Sequence, residues 1–382
     1  MKKFILITIA LLLSLSLLIY KFYNEDSIEE VPTKNIKQSS MLSMMIETEA
    51  DSGNYQISTS NTWPTDGYIF NSELSKCESG GTLSWDDTNK KVMFEGNNID
   101  KCYVYFDMIP PILLTEYIKT QYTGTQGENN IYYHDSSLTN GAKDNSYRFA
   151  GSSNEVNNYI CLGSSEATCP DANLYRIIGM FGNQVKVIRA NSIASMKWDN
   201  KSSNTWATSN INTYLTETYL PSLGTLAEKI ETTTWKVGGN TGTNIYSQPA
   251  KTAYQNEIIN PVTANTTDGA TEYSAKIGLM YASDYGYAAS PSAWSKTLYN
   301  YSGSNDNGIA ISTINWLFLH KYEWIITRKA DGSDQAFLVY GDGTVGAGIV
   351  GGSNDIRPSF YLTSSVQYIS GSGQESDPIR IN

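Results

Sequence analysis

The densest run of binding chemistry in the sequence is GLMYASDYGYAASPSAW, where Tyr281, Tyr285, Tyr287 and Trp294 gather around Asp284. Aromatic faces stack on the apolar side of a sugar ring while acidic and amide groups take its hydroxyls. Tyr281, Asp284, Tyr285, Tyr287 and Trp294 are therefore the expected ligand contacts, with Trp316 and Trp324 following in the next segment. The same rings also read as core, where large aromatics usually pack.

Patterns for catalysis do not accompany them. The sequence holds no G-x-S-x-G, H-E-x-x-H, phosphate-loop or calcium-loop signature, so no catalytic residue is assigned. Its two histidines are His134 and His320. Asp135 could orient His134, but IYYHDSS reads as a partly exposed loop, and His320 in NWLFLHKYEW reads as packed and hydrogen-bonded. Gly341, Gly343 and Gly346 spell G-x-G-x-x-G after AFLVY. The Gly-rich AGIVGGSNDIRP that follows cannot form the helix a dinucleotide needs, so a hairpin turn at Asp342–Gly343 is expected, and no cofactor. A carboxylate pair for glycoside hydrolysis remains open among 38 acidic residues.

Four cysteines, Cys77, Cys102, Cys161 and Cys169, are an even set without C-x-x-C spacing, which reads as disulfides and not as a metal site. Of the three pairings, the local one, 77–102 and 161–169, fits the module boundaries below.

These residues sit in a chain of 382 with 27 basic and 38 acidic side chains, a net charge of −11. That balance argues against nucleic acid, whose binding depends on basic side chains displacing counterions. With 27 tyrosines and 12% aromatics the chain is not disordered. Its Tyr, Ser, Gly and Asn content resembles that of adaptable recognition surfaces. Behind Lys2 and Lys3 runs the apolar segment 4–20, FILITIALLLSLSLLIY, followed by the acidic NEDSIEE. Residues 1–22 are expected to be a signal anchor, a single membrane helix with everything after it extracellular. Cleavage after Ser14-x-Ser16 and secretion is the alternative.

Residues 23–50 read as a stalk with an apolar patch, MLSMMI. Residues 51–109 read as a small β module from GGTLSWD, KVMFEG and KCYVYFD, which the 77–102 pairing would staple. Residues 110–382 begin with ILLTEYIKTQY, a helix with Leu114, Tyr117, Ile118 and Tyr122 on one face. LYRIIGMFGNQVKVIRA predicts a hairpin turning at Gly182–Asn183. TSNINTYLTETYLPSL predicts a helix capped by Thr208 or Ser209, and 236–272 reads as loop. Few helices and many short strands make the class α+β.

RIIGMFGNQVKVI, IGLMYASDYGYA, EWIIT and IRPSFYL…GSGQESDPIRI together resemble an uncharacterised domain of Gram-positive gut bacterial surface proteins. That domain is similar to the C-type-lectin-like fold of sulfatase-modifying factors. The resemblance covers Leu113 to the end and implies a C-type-lectin-like α+β domain with no established activity. Arg357 reads either as structural or as a ligand contact. Formylglycine-generating enzymes use a C-terminal cysteine pair, and this chain has no cysteine after Cys169; calcium lectins carry E-P-N or Q-P-D, and here the nearest run is Gln248-Pro249-Ala250. The function expected is a membrane-anchored extracellular binding or adhesion protein, recognising glycan or a surface protein through loop aromatics. The alternatives are an exported glycan hydrolase and a structural envelope protein without a ligand.

Overall fold

The structure, a computed structural model, describes residues 41–64, 67–96, 100–261 and 270–382. The expected membrane segment 1–22 and the first part of the stalk lie outside the described residues. Among the described residues no helix is long and apolar enough to cross a membrane. The chain divides into two compact units between Pro110 and Pro111.

Among the described residues, the regular structure of the first unit is all strand. It comprises β1 (Met41–Glu47), β2 (Tyr55–Ile57), β3 (Tyr68–Cys77), β4 (Thr82–Asp86), β5 (Lys91–Glu95) and β6 (Lys101–Met108). The patch expected to be stalk is β1, which pairs parallel to β6 in a sheet of order β2-β1-β6-β3. Its apolar residues are strand positions, because Met44 joins Val104 and Phe106 in the core. Alternation in KCYVYFD puts Cys102, Val104 and Phe106 inside, where Trp63, Phe70 and Trp85 close over them. Cys77 and Cys102 sit directly opposite on β3 and β6 and are bonded.

The second unit opens with β7 (Ile112–Leu113) and α1 (Leu114–Gln121), followed by β8 (Ile131–Tyr133), β9 (Tyr147–Phe149), β10 (Tyr159–Cys161), β11 (Leu174–Phe181), β12 (Gln184–Arg189) and β13 (Ala194–Lys197). The α1 face forms as its periodicity predicts, with Leu114 and Ile118 buried and Tyr117 stacked on Tyr368 at 3.8 Å. The β11–β12 hairpin turns at Gly182, φ +61°, and Asn183. Gly179 makes a bulge in β11 where a Cβ would lie 2.3 Å from the Tyr147 carbonyl oxygen, so only glycine lets β9 pair there.

Next comes α2 (Asn210–Tyr214), capped by the Ser209 hydroxyl and prolonged by a π turn at Leu215–Tyr219 and a last turn at Leu220–Ser222. Its stripe Ile211, Leu215 and Tyr219 is buried. After β14 (Thr233–Lys236), the region 236–272 expected to be loop instead holds α3 (Gly242–Ile245) and α4 (Ala250–Tyr254), with a π turn at Gln255–Ile259. Its short helices lack a long apolar period and depend on tertiary packing. The chain ends through β15 (Glu272–Ala275), β16 (Ile277–Gly278), α5 (Ala282–Ala288), β17 (Glu323–Arg328), β18 (Gln335–Val339), β19 (Val345–Ile349), β20 (Ser353–Ile356), β21 (Ser359–Leu362), β22 (Gln367–Ser370) and β23 (Ile379–Ile381).

The larger sheet runs β16-β21-β12-β11-β10-β23-β22-β7, and a second runs β13-β20-β17-β18-β19. The last strand pairs parallel to β10, bringing the chain's end beside the start of the hairpin. Trp198, Trp206, Trp235, Trp294, Trp316 and Trp324 are all fully buried in this unit. The mixed class, mostly strands with few helices and two disulfides, is as expected.

Candidate functional site

The aromatic cluster is not a surface. Tyr281, Asp284, Tyr285, Tyr287 and Trp294 are each at most 5% exposed, so none offers a free ring face or carboxylate to a ligand. They belong to α5 and its flanks, and every residue of α5 is buried. Asp284 is the sole charged residue from Ile277 to Trp294, and a helix without a polar face packs on all sides. Most polar atoms are spent internally; Tyr287 Oη is buried without a hydrogen-bond partner among the described residues. Tyr281 Oη accepts the Lys236 N–H at 2.7 Å, Tyr285 Oη donates to the Gly343 carbonyl at 2.9 Å, and Trp294 Nε1 donates to the Ala289 carbonyl at 2.7 Å. Trp316 and Trp324 are interior as well.

The histidines exchange the places expected of them. His134 is fully buried against Tyr287 and Trp294; its Nδ1 accepts the Ala142 N–H at 3.0 Å, and burial holds its pKa well below the ordinary value. Asp135 turns away to cap Ser137 and Leu138. His320 is exposed, in a left-handed turn at φ +56°, with its ring on Phe318. Gly343, φ +92°, turns the β18–β19 hairpin, as its sequence suggests. Arg357 is structural: its Nε donates to Glu323 Oε1 at 2.6 Å and its Nη2 to the Leu317 carbonyl, all buried. Cys161–Cys169 is the second disulfide. Among the described residues, the one grouping with metal-ligand spacing is Cys77, Asp100 and Cys102, whose sulfurs are bonded to each other.

An open groove of about 650 Å³ lies elsewhere on the second unit, between the loop entering β10 and the turn joining β22 to β23. Tyr159, Asn154, Glu155, Asn157, Gln374 and Glu375 line it. Its floor follows from register. Tyr159 on β10 sits directly opposite Arg176 on β11, and the guanidinium lies 4.2 Å from the Tyr159 ring centre and 4.6 Å from that of Trp316. Arg176 donates to Asn158 Oδ1, Ser153 Oγ and the carbonyls of Val156, Ser153 and Trp316, none of them a carboxylate. Burial pulls its pKa down to about 10, so it stays a cation at neutral pH. This buried charge fixes the loop, and two π faces and five dipoles compensate it.

The opposite wall is the GSGQESDP turn. Tyr159 N–H donates to the Gly373 carbonyl at 2.8 Å, and Ser372 N–H to Asp377 Oδ2 at 2.9 Å. Gly373 has φ +81°, and a Cβ there would lie 2.5 Å from the Asn157 carbonyl oxygen. The groove therefore presents a half-exposed ring, the exposed amides Asn154 and Asn157 on one wall and Gln374 on the other, hydroxyls, and the exposed acids Glu155 and Glu375. Such a set can hold a polyhydroxylated ligand by stacking and by paired donors and acceptors. A second, shallower groove of about 450 Å³ holds His320, Lys321, Tyr322 and Asp355, with Tyr322 54% exposed.

Sequence reasoning missed Tyr159 and Arg176. The available signal was an arginine inside the otherwise apolar strand LYRIIGMF. It also missed a buried ionic network in which Arg148 meets Asp144 and Asp284, and Lys186 meets Asp284. Comparison with protein-family models, with curated proteins and with solved structures finds no match in any of the three.

Proposed function

We propose that the chain is a membrane-anchored extracellular binding protein that takes glycan in the groove at Tyr159. The observation that carries this reading is an aromatic side chain held over a buried cation and ringed by exposed amide, hydroxyl and carboxyl groups. Stacking on the ring supplies affinity, and the amides supply orientation. The export half of the reading rests on residues 1–22. It is supported by the pairing of all four cysteines, because disulfides persist in oxidising surroundings. The C-type-lectin-like assignment of residues 110–382 rests on the sequence resemblance.

The test is a glycan array probed with the full-length protein, followed by two variants. Tyr159→Ala is expected to weaken binding by roughly ten-fold, the effect of losing an aromatic anchor. Tyr322→Ala, in the second groove, is expected to leave it unchanged. Binding that depends on Tyr322 and ignores Tyr159 would move the site and defeat this reading. The hydrolase alternative is favoured by one observation, the two carboxyl groups Glu155 and Glu375 in the same groove. Turnover of a bound glycan that Glu155→Gln or Glu375→Gln abolishes would select it.

A further inference from the structure

We propose that Lys186 and Asp284 condense into an intramolecular amide, a covalent tie between the β11–β12 hairpin and the first turn of α5. Lys186 Nζ lies 2.5 Å from Asp284 Oδ2, and both side chains are at most 3% exposed. The pair sits in an aromatic enclosure: the Nζ is 4.5 Å from the ring centre of Tyr281 and 5.4 Å from those of Trp235 and Tyr361. An amine and a carboxyl held in contact away from water have the two requirements for condensation, high effective concentration and suppressed hydrolysis.

The surrounding groups suit the step. Desolvation lowers the Lys186 pKa, favouring the neutral, nucleophilic amine. Arg148 Nη1 lies 3.7 Å from Asp284 Oδ1, placing a cation beside the oxygen that carries negative charge in a tetrahedral intermediate. The Tyr281 N–H donates to Oδ2 at 2.9 Å. A second buried acid, Glu257, is presented by the π turn after α4 and held at the same helix start by the Ser283 N–H at 2.7 Å and the Thr327 hydroxyl at 2.7 Å. Its field reaches both Lys186 and Asp284, and burial raises its pKa to about 7, so it can carry a proton near neutrality.

The step is a dehydration. The ammonium passes one proton to the Asp284 carboxylate, leaving an amine and a carboxylic acid. The nitrogen lone pair attacks Cγ, forming the C–N bond. The second amine proton, relayed by Glu257, goes to the hydroxyl, and the C–O bond breaks to release one water. The ion pair and the amide are both neutral overall, and no oxidant, reductant or co-reactant takes part.

This inference is independent of the groove. It is tested on full-length protein, reduced, alkylated and digested, by peptide mass spectrometry. The expected result is a branched peptide containing both Lys186 and Asp284, lighter by one water than its two parts. Recovery of the two peptides separately from folded protein would overturn the proposal. Lys186→Arg keeps a cation beside Asp284 but has no amine to condense, and is expected to give separate peptides. Loss of water persisting in that variant would place the reaction elsewhere and equally defeat the assignment. Glu257→Gln is expected to slow the joining by roughly 100-fold, as removal of a proton carrier does, with the fold retained by circular dichroism. Joining at the wild-type rate would remove Glu257 from the step.

Discussion

Glu257 shows how one buried side chain sets a pH response. Burial lifts its pKa from 4.5 to about 7, against hydrogen bonds from Ser283 and Thr327 that pull it down. An acid whose folded pKa exceeds its unfolded value holds its proton more tightly when folded. Its stabilising contribution is complete below about pH 4.5 and is lost as the pH rises to about 7. A shift of that size corresponds to about 3 kcal/mol. His134 acts in the opposite sense: its lowered pKa makes the fold lose stability as pH falls below its ordinary value of 6.5. In a Lys186→Arg background, where no amide tie can form, comparing Glu257 with Glu257→Gln isolates the acid. Denaturant titrations are expected to show the Glu257 form losing about 3 kcal/mol relative to the Gln form between pH 4.5 and 7; parallel curves would mean that Glu257 stays ionised throughout. Neither residue could be placed from sequence. Whether a ring or carboxyl is inside depends on what distant segments bring: Tyr285 is closed off by Gly343, Tyr281 by Lys236 and His134 by Tyr287. Composition located the cluster, and tertiary packing decided that it was core.

At the scale of elements, the legible parts were those specified by neighbours in sequence. The β11–β12 hairpin follows from a turn pair between two β runs, and the Ser209 cap and the Ile211, Leu215 and Tyr219 stripe lie within one helix. The Met41–Glu47 strand was read as stalk because its partner, β6, lies far along the chain. The groove depends on such a distant pairing too, since β23 brings the GSGQESDP turn to β10. Gly373 is the point where the two walls touch. Gly373→Ala adds a Cβ 2.5 Å from the Asn157 oxygen at a positive φ, so it should destabilise the unit by about 2 kcal/mol. It should also weaken glycan binding without changing any groove side chain. Thermal melts and the array measure the two effects separately; a variant that melts and binds like wild type would mean that the turn moves freely.

For the whole molecule, the two units differ most in how much core supports them. The first rests on Met44, Val92, Val104 and Phe106 with a rim of aromatics, while the second buries a continuous core with six tryptophans. A small core leans on its covalent staple. Replacing Cys77 and Cys102 by serine is expected to destabilise the first unit by about 3 kcal/mol, enough for limited proteolysis to cut within residues 41–110 while 111–382 survives. Equal protease resistance of variant and wild type would show the apolar core to be sufficient alone. The local cysteine pairing, favoured among three because each bridge closes within one module, is the one formed.

The parallel run of β1 beside β6 bears on mechanics. Tension entering ahead of Met41 and leaving after Met108 pulls two adjacent, like-directed strands past each other. The hydrogen bonds between them are then loaded together in shear and cannot be peeled apart one by one, the geometry that makes a module slow to yield when stretched. A load applied across residues 41–108 would therefore be carried along the strands before this module lets go.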